Sequence, residues 1–251
     1  MNEPSKPAPS TFLILGSERT GSNLLVGLID SHPDAIVGEE LFNKSCLENG
    51  NIPFPGLGKD EELIALRQQD QGRFLDRLYE RVAERGCAVL GYKIFYRQFD
   101  RWTTALQHLA GKPDLKVIHL RRRNLLRQLV SYQQAVITGQ WKRRPGVERA
   151  PPPPVELDLA QCVRTFLQIE DWARRYDEAF ADHAKMTIWY EDMAVDPDGT
   201  AKACHEFLGL EPMPSGPLRY KKSGQSSVRD SIVNYDAVRE GFARWLGFFE
   251  S

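Results

Sequence analysis

Short apolar runs, each closed by a polar turn and followed by a stretch with helical spacing, recur along this chain. Thr11–Leu15 is an unbroken apolar run bounded by Gly16, the pattern of a strand buried on both faces. Ser22–Ile29 then carries apolar residues at helical spacing. Further strands are predicted at Ala35–Val37, at Cys87–Leu90 (ending in Gly91-Tyr92-Lys93), at Leu115–Leu120 and at Met186–Tyr190. Helices are predicted over Glu61–Arg85, Trp102–Leu109, Leu125–Ile137, Leu157–His183, Asp198–Leu208 and Asp236–Leu246. Residues 43–60, rich in Asn, Gly and Pro, read as an irregular loop, and so does Leu218–Tyr235. Pro145–Pro154 reads as a semi-rigid extended linker. Strands alternating with helices predict an α/β fold, a mainly parallel central sheet flanked by helices. Residues 1–10 read as a disordered leader and 11–251 as a single domain.

Composition narrows the function. A net charge of −1 gives no general attraction to nucleic acid. No apolar run approaches the ~18 residues of a transmembrane segment. The first ten residues lack the charged and apolar regions of a signal peptide. Cys46, Cys87, Cys162 and Cys204 show no paired spacing, so reduced thiols in a cytoplasmic protein are expected, with no metal site.

Positive charge is concentrated locally. Seven basic residues and no acidic one lie between Arg121 and Arg144, at the junction of a strand and a helix, where an anion would be stabilised. The first junction, Ser17-Glu18-Arg19-Thr20-Gly21, has the same character. A strand that feeds a helix through such a turn aims backbone N–H groups and the helix dipole at one point. Gly16 and Gly21 have the spacing of the Walker A loop, but Ser22 and Asn23 stand where its Lys and its Mg²⁺-ligating Ser/Thr belong. In a parallel sheet, ligands bind at the carboxyl ends of the strands. Arg19, Glu40, Lys93, Arg122 and Tyr190 each follow a predicted strand there. Glu39-Glu40 can also be read as a solvated acidic turn, and Tyr190-Glu191-Asp192 as a helix cap. His119, within an apolar strand, reads as a core histidine with a satisfied ring.

Two anion sites on one sheet edge imply a ligand with two separated phosphates. SERTGSNLL at the first strand and LRRRNLLRQLVSYQQA at the fourth resemble, in order, the two nucleotide motifs of sulfotransferases that use 3′-phosphoadenosine 5′-phosphosulfate (PAPS). GEELF, the GYK after the third strand, WYEDM and VRDSIVNYD are most similar to the bacterial carbohydrate and glycolipid branch. That branch includes trehalose 2-sulfotransferases and the nodulation-factor and lipopolysaccharide types. The resemblance runs from Phe12 to about Val238, with gaps around 43–60 and 139–156.

It implies a P-loop-like sulfotransferase fold, PAPS as donor and adenosine 3′,5′-bisphosphate (PAP) as product. Arg19, Thr20, Gly21, Ser22 and Asn23 fall on the 5′-phosphosulfate loop. Arg122 or Arg123, with Ser131, falls on the 3′-phosphate site. Glu40, directly before Leu41-Phe42, takes the place of the general base. Lys93 would stabilise the transferring group or contact substrate, and Lys221 and Lys222 are candidates to close over the nucleotide. The expected acceptor is a hydroxyl of a carbohydrate, glycolipid or related small molecule, and a homodimer is one expected assembly. Sulfuryl carries less charge than a terminal phosphoryl, so Arg, Lys and backbone donors are expected to suffice without a metal. The rival readings are a P-loop-like small-molecule kinase, which the missing Walker lysine opposes, and a non-catalytic nucleotide-binding protein.

Overall fold

A computed structural model describes residues 9–142, 146, 150–216 and 227–242. Five strands, β1 (Ser10–Gly16), β2 (Ala35–Glu40), β3 (Val89–Phe95), β4 (Lys116–Arg121) and β5 (Lys185–Trp189), form one sheet of order β2-β3-β1-β4-β5. Every pairing is parallel. Around it lie α1 (Ser22–Asp30), α2 (Lys44–Glu48), α3 (Glu61–Gln69), α4 (Gln71–Ala83), α5 (Tyr96–Arg101) and α6 (Thr103–Ala110). The second half supplies α7 (Leu125–Thr138), α8 (Leu159–Ala179), α9 (Tyr190–Val195), α10 (Pro197–Leu208) and α11 (Tyr235–Gly241).

Strand alternation explains why both faces are covered. In β1, Leu13 and Leu15 join one core with Phe74, Tyr92 and Phe99, while Phe12 and Ile14 join another with Leu25, Leu28 and Cys204. A strand buried on both faces has no polar side, hence its unbroken apolar run. A third cluster, containing Leu126, Leu129, Phe166 and Val238, packs α7 and α8 against the C-terminal region. Because β1 has β3 on one side and β4 on the other, its carboxyl end is the switch point of the sheet, where a crevice opens.

Three local expectations change. The sequence ends the third strand before Gly91-Tyr92-Lys93, but β3 runs through them to Phe95, so Lys93 lies inside the strand. Gly91 is not a stop: a Cβ there would sit 2.3 Å from the Phe12 ring, so glycine is what lets β1 pack a phenylalanine across β3. The span 61–85 is two helices, because the Asp70 carboxylate accepts from the Arg73 N–H at 3.0 Å and starts α4 afresh. Residues 43–60 include the short α2, begun by Asn43.

The segment before α8 is stitched to the one before α11. Val155 N donates to Ser231 O (3.0 Å) and Val233 N to Val155 O (2.9 Å). The Asn234 side chain exchanges hydrogen bonds with the Leu157 backbone, accepting at 3.0 Å and donating at 2.8 Å. Residues 1–8, from the expected leader, lie outside the described residues; Pro9 accepts from the Tyr79 hydroxyl (3.1 Å) and Ser10 opens β1. Among the described residues no helix is long and apolar enough to cross a membrane.

Candidate active site

The first strand–helix junction is shaped by two left-handed residues, Arg19 (φ 65°) and Gly21 (φ 85°). Gly21 has a second reason to be glycine, since a Cβ would meet the Tyr190 ring at 2.5 Å. The Thr20 hydroxyl donates to Ser17 O (2.8 Å) and closes the turn from within. Gln128 of α7 donates to Glu18 O (2.8 Å) and holds it from outside. Among the described residues no side chain caps the start of α1, so this helix end presents its dipole and first-turn N–H groups to the crevice.

A left-handed arginine costs of order 1–3 kcal/mol and persists only where surroundings hold it. Here three contacts do. Arg19 O accepts from an Arg122 NH1 at 2.9 Å, Arg19 Nε donates to Ser131 Oγ at 2.9 Å, and its NH1 donates to Trp141 O at 2.7 Å.

The three arginines at the end of β4 have different surroundings. Arg121 pairs with Glu170 (2.6 Å) and lies on the Trp189 face (5.0 Å to the ring centre). Arg123 covers the same ring at 4.9 Å and clamps Asp192 through two bonds of 2.6 and 2.8 Å, with its side chain 49% exposed. Arg122 alone lines the crevice, stacked 4.4 Å over Tyr190. Among the described residues its buried Nε lacks a hydrogen-bond partner, with the Glu191 carboxylate 4.0 Å away. Burial pushes the pKa of Arg19 and of Arg122 down, and an anion in the crevice would offset that desolvation. The start of α7 is already occupied: Glu191 accepts from the N–H groups of Arg123 (3.0 Å) and Asn124 (3.1 Å). An anion here therefore meets side chains rather than helix N–H groups.

Glu40 ends β2 opposite Lys93 in the register. Lys93 is 1% exposed and lies behind the wall that Asn23 and Glu40 present to the crevice. Its ammonium donates to Asn23 Oδ1 and lies 3.5 Å from Glu40 Oε1. Burial lowers the Lys93 pKa, and Glu40 pulls it back up. Glu39 points elsewhere, to Lys142. A cleft of about 1760 Å³ joins these parts, with Arg19, Ser22, Asn23, Glu40, Arg122 and Ser131 on its walls. That exceeds the ~300–1,000 Å³ of a typical small-molecule site and leaves room for a nucleotide and an acceptor together.

The structure thus brings together Arg19, Gly21, Ser22, Asn23, Glu40, Arg122 and Ser131. It keeps Thr20 as an internal brace, puts Lys93 beneath the wall and turns Arg123 outward. Lys221 and Lys222 lie outside the described residues. Sequence reasoning missed Asn43, Gln98 and Gln128. Asn43 carried a signal, an Asn before a helical stretch; the two glutamines carried none, because only the fold brings them near the site.

The comparisons agree with this geometry. A family model described as the sulfotransferase family matches residues 10–214. The chain is 31% identical over 247 residues to nodulation protein H of Rhizobium meliloti (strain 1021), covering 96% of each chain. It is 32% identical over 251 residues to that of Rhizobium tropici, covering 98% of this chain and 95% of the relative. Among solved structures it resembles a sulfotransferase from Alicyclobacillus acidocaldarius, with a TM-score of 0.52 and 16% identity, covering 97% of this chain and 96% of the other. The sulfotransferase domain of the curacin biosynthetic pathway gives 0.52 and 19%, covering 89% and 83%. The chain belongs to the sulfotransferase family. It is an enzyme of the PAPS-dependent class, in the nodulation-type bacterial branch that its motifs resemble, and the kinase and non-catalytic readings fall away.

Proposed function

We propose that this enzyme moves the sulfuryl group of PAPS to a hydroxyl of a carbohydrate, glycolipid or related small acceptor, with Glu40 as general base and without a metal ion. The observation that carries the reading is the Lys93 bridge. One ammonium reaches Asn23, at the start of the anion-binding helix, and Glu40, on the acceptor side. The base is thereby held at a set distance from the donor loop, and positioning of this kind is a large part of catalysis.

The unpartnered Arg122 Nε and the uncapped α1 suit an anionic nucleotide. Arg19, Gly21, Ser22 and Asn23 would hold the 5′-phosphosulfate, and Arg122 with Ser131 the 3′-phosphate. Asn23, in the place of a Mg²⁺-ligating hydroxyl, already accepts from a cation, Lys93, which supports metal-free transfer. In the reaction Glu40 takes the acceptor O–H proton. The freed electron pair forms the new O–S bond as the S–O bond to the nucleotide phosphate breaks. Lys93 acts through Glu40 and Asn23 rather than by touching the acceptor. Beyond Glu40 the cleft wall carries Glu39, Asn43, Gln98, Trp102 and Trp141, a mixture of amides, carboxylates and aromatic rings suited to a hydroxyl-rich molecule. A screen of sulfate transfer from PAPS to sugars, glycolipids and simple alcohols tests this, with transfer to sugars or glycolipids expected. Transfer confined to amines or phenols would overturn the acceptor class.

A further inference from the structure

Two side-chain amides approach the Glu40 carboxylate, and in each the other end is already committed. Asn43 Oδ1 accepts from the Ser45 N–H (2.9 Å) at the start of α2, and its Nδ2 donates to Glu40 Oε2 (2.8 Å). Gln98 Oε1 accepts from the Phe95 N–H (3.0 Å) at the start of α5, and its Nε2 faces the same Oε2 at 3.5 Å. An amide whose oxygen is held by a helix start presents only its NH₂ at the far side. The helix starts therefore decide the orientation of both amides, and both donors fall on one carboxylate oxygen. Oε1 is left, with the Lys93 ammonium 3.5 Å away.

We propose that Asn43 and Gln98 are positioning residues for sulfuryl transfer. They hold Oε2 from the cleft side and so fix the carboxylate in the position from which it takes the acceptor proton. This rests on the reading of Glu40 as base. The charged and titratable groups that face Glu40 are Lys93 from β3, Arg97 from α5, Glu18 from the loop after β1 and Cys46 from α2. Glu39, its neighbour in sequence, is paired with Lys142. The two cations have other anchors, Lys93 at Asn23 and Arg97 at Glu18 (2.7 Å). Lys93 therefore faces Oε1 from beneath, while the two amides hold Oε2.

The test is sulfuryl transfer from PAPS with PAP affinity measured beside it. Asn43→Ser keeps a capping oxygen and loses the donor. Gln98→Met keeps the side-chain length and loses the donor. Each donor lost should lower kcat by about fivefold or more, with PAP affinity within about twofold. In the Glu40→Gln background the same substitutions should lower kcat no further, a coupling that a merely structural role would not produce. Full kcat in either variant, or losses that persist undiminished in the Glu40→Gln background, would overturn the inference. The base reading fails separately, if Glu40→Gln keeps full transfer activity.

Discussion

Arg19 Nε donates to Ser131 Oγ at 2.9 Å, so a direct hydrogen bond joins the two expected anion sites, beside the Gln128 bond that already ties α7 to the loop after β1. A ligand with phosphates at both ends would be held by a continuous set of donors. PAP should bind at least about tenfold tighter than adenosine 5′-monophosphate, since each charge-assisted bond contributes about 1.5–3 kcal/mol. Ser131→Ala should shrink that preference. Calorimetry with both nucleotides decides it, and equal affinities would remove the two-site reading.

Arg122 and Arg123 are adjacent and have opposite surroundings. Arg122→Ala should weaken PAP binding by about tenfold or more, through loss of a charge-assisted contact. Arg123→Ala removes an exposed pair with Asp192 and a contact with the Trp189 ring, both outside the cleft wall, and should change PAP affinity less than about twofold. The reverse order of effects would place the 3′-phosphate on the outer face.

Glu40→Gln keeps the shape and removes the base, so kcat should fall by about 10²–10⁴-fold with little change in PAP affinity. Glu39→Gln, whose parent side chain faces Lys142, should cost far less. Near-wild-type turnover in Glu40→Gln would exclude this carboxylate as the base.

Transfer should continue in EDTA. Lys93 already supplies positive charge at Asn23. Activity abolished by EDTA and restored by Mg²⁺ would contradict the proposed chemistry.

Stability should fall as the solution is acidified from pH 7.5 to 5.5. His119 is fully buried between the Tyr96 hydroxyl and Asp177 (3.0 Å), and burial holds its pKa below the ordinary 6.5 against the pull of Asp177. Burial also depresses His205, beside His32. Below pH 6.5 the unfolded chain takes up protons that the native state resists, so this stability is present above 6.5 and is lost as pH falls toward the lower native pKa. Each kcal/mol lost lowers Tm by about 2–4 °C in a chain of this size. His119→Phe should be less stable at pH 7.5 but show a shallower pH dependence; a Tm that rises on acidification would refute the assignment.

Much of this fold was legible because the strands are buried on both faces and announce themselves as apolar runs. Four of the five strands and the turn at Gly21 fall where the pattern puts them, and the third is displaced toward Phe95. The errors have local causes. Gly91 looks like a strand end until Phe12 is seen across it. The short α5 and α9 start directly after β3 and β5, with too few residues to show a period. At the site, runs of like residues hid their differences. Arg121, Arg122 and Arg123 are interchangeable as text, and only Trp189, Tyr190, Glu191 and Asp192 on the next strand and helix separate them. Gln98 and Gln128 gain their roles from contacts across 58 and 110 residues of chain, which no local pattern records.

The seam at Val155 and Ile232 has a consequence for how such enzymes diversify. The proline-rich segment contributes Pro151 and Pro152 to the cleft wall, and its partner segment contributes Val228 and Ser231. Two stretches nearly eighty residues apart in sequence thus behave as one piece of wall, sharing backbone bonds and the Asn234 side chain. A descendant that lengthened one stretch to admit a bulkier acceptor would break the seam unless the other changed with it. New acceptor specificities in this lineage should therefore arise through paired changes in both stretches rather than through drift in either alone.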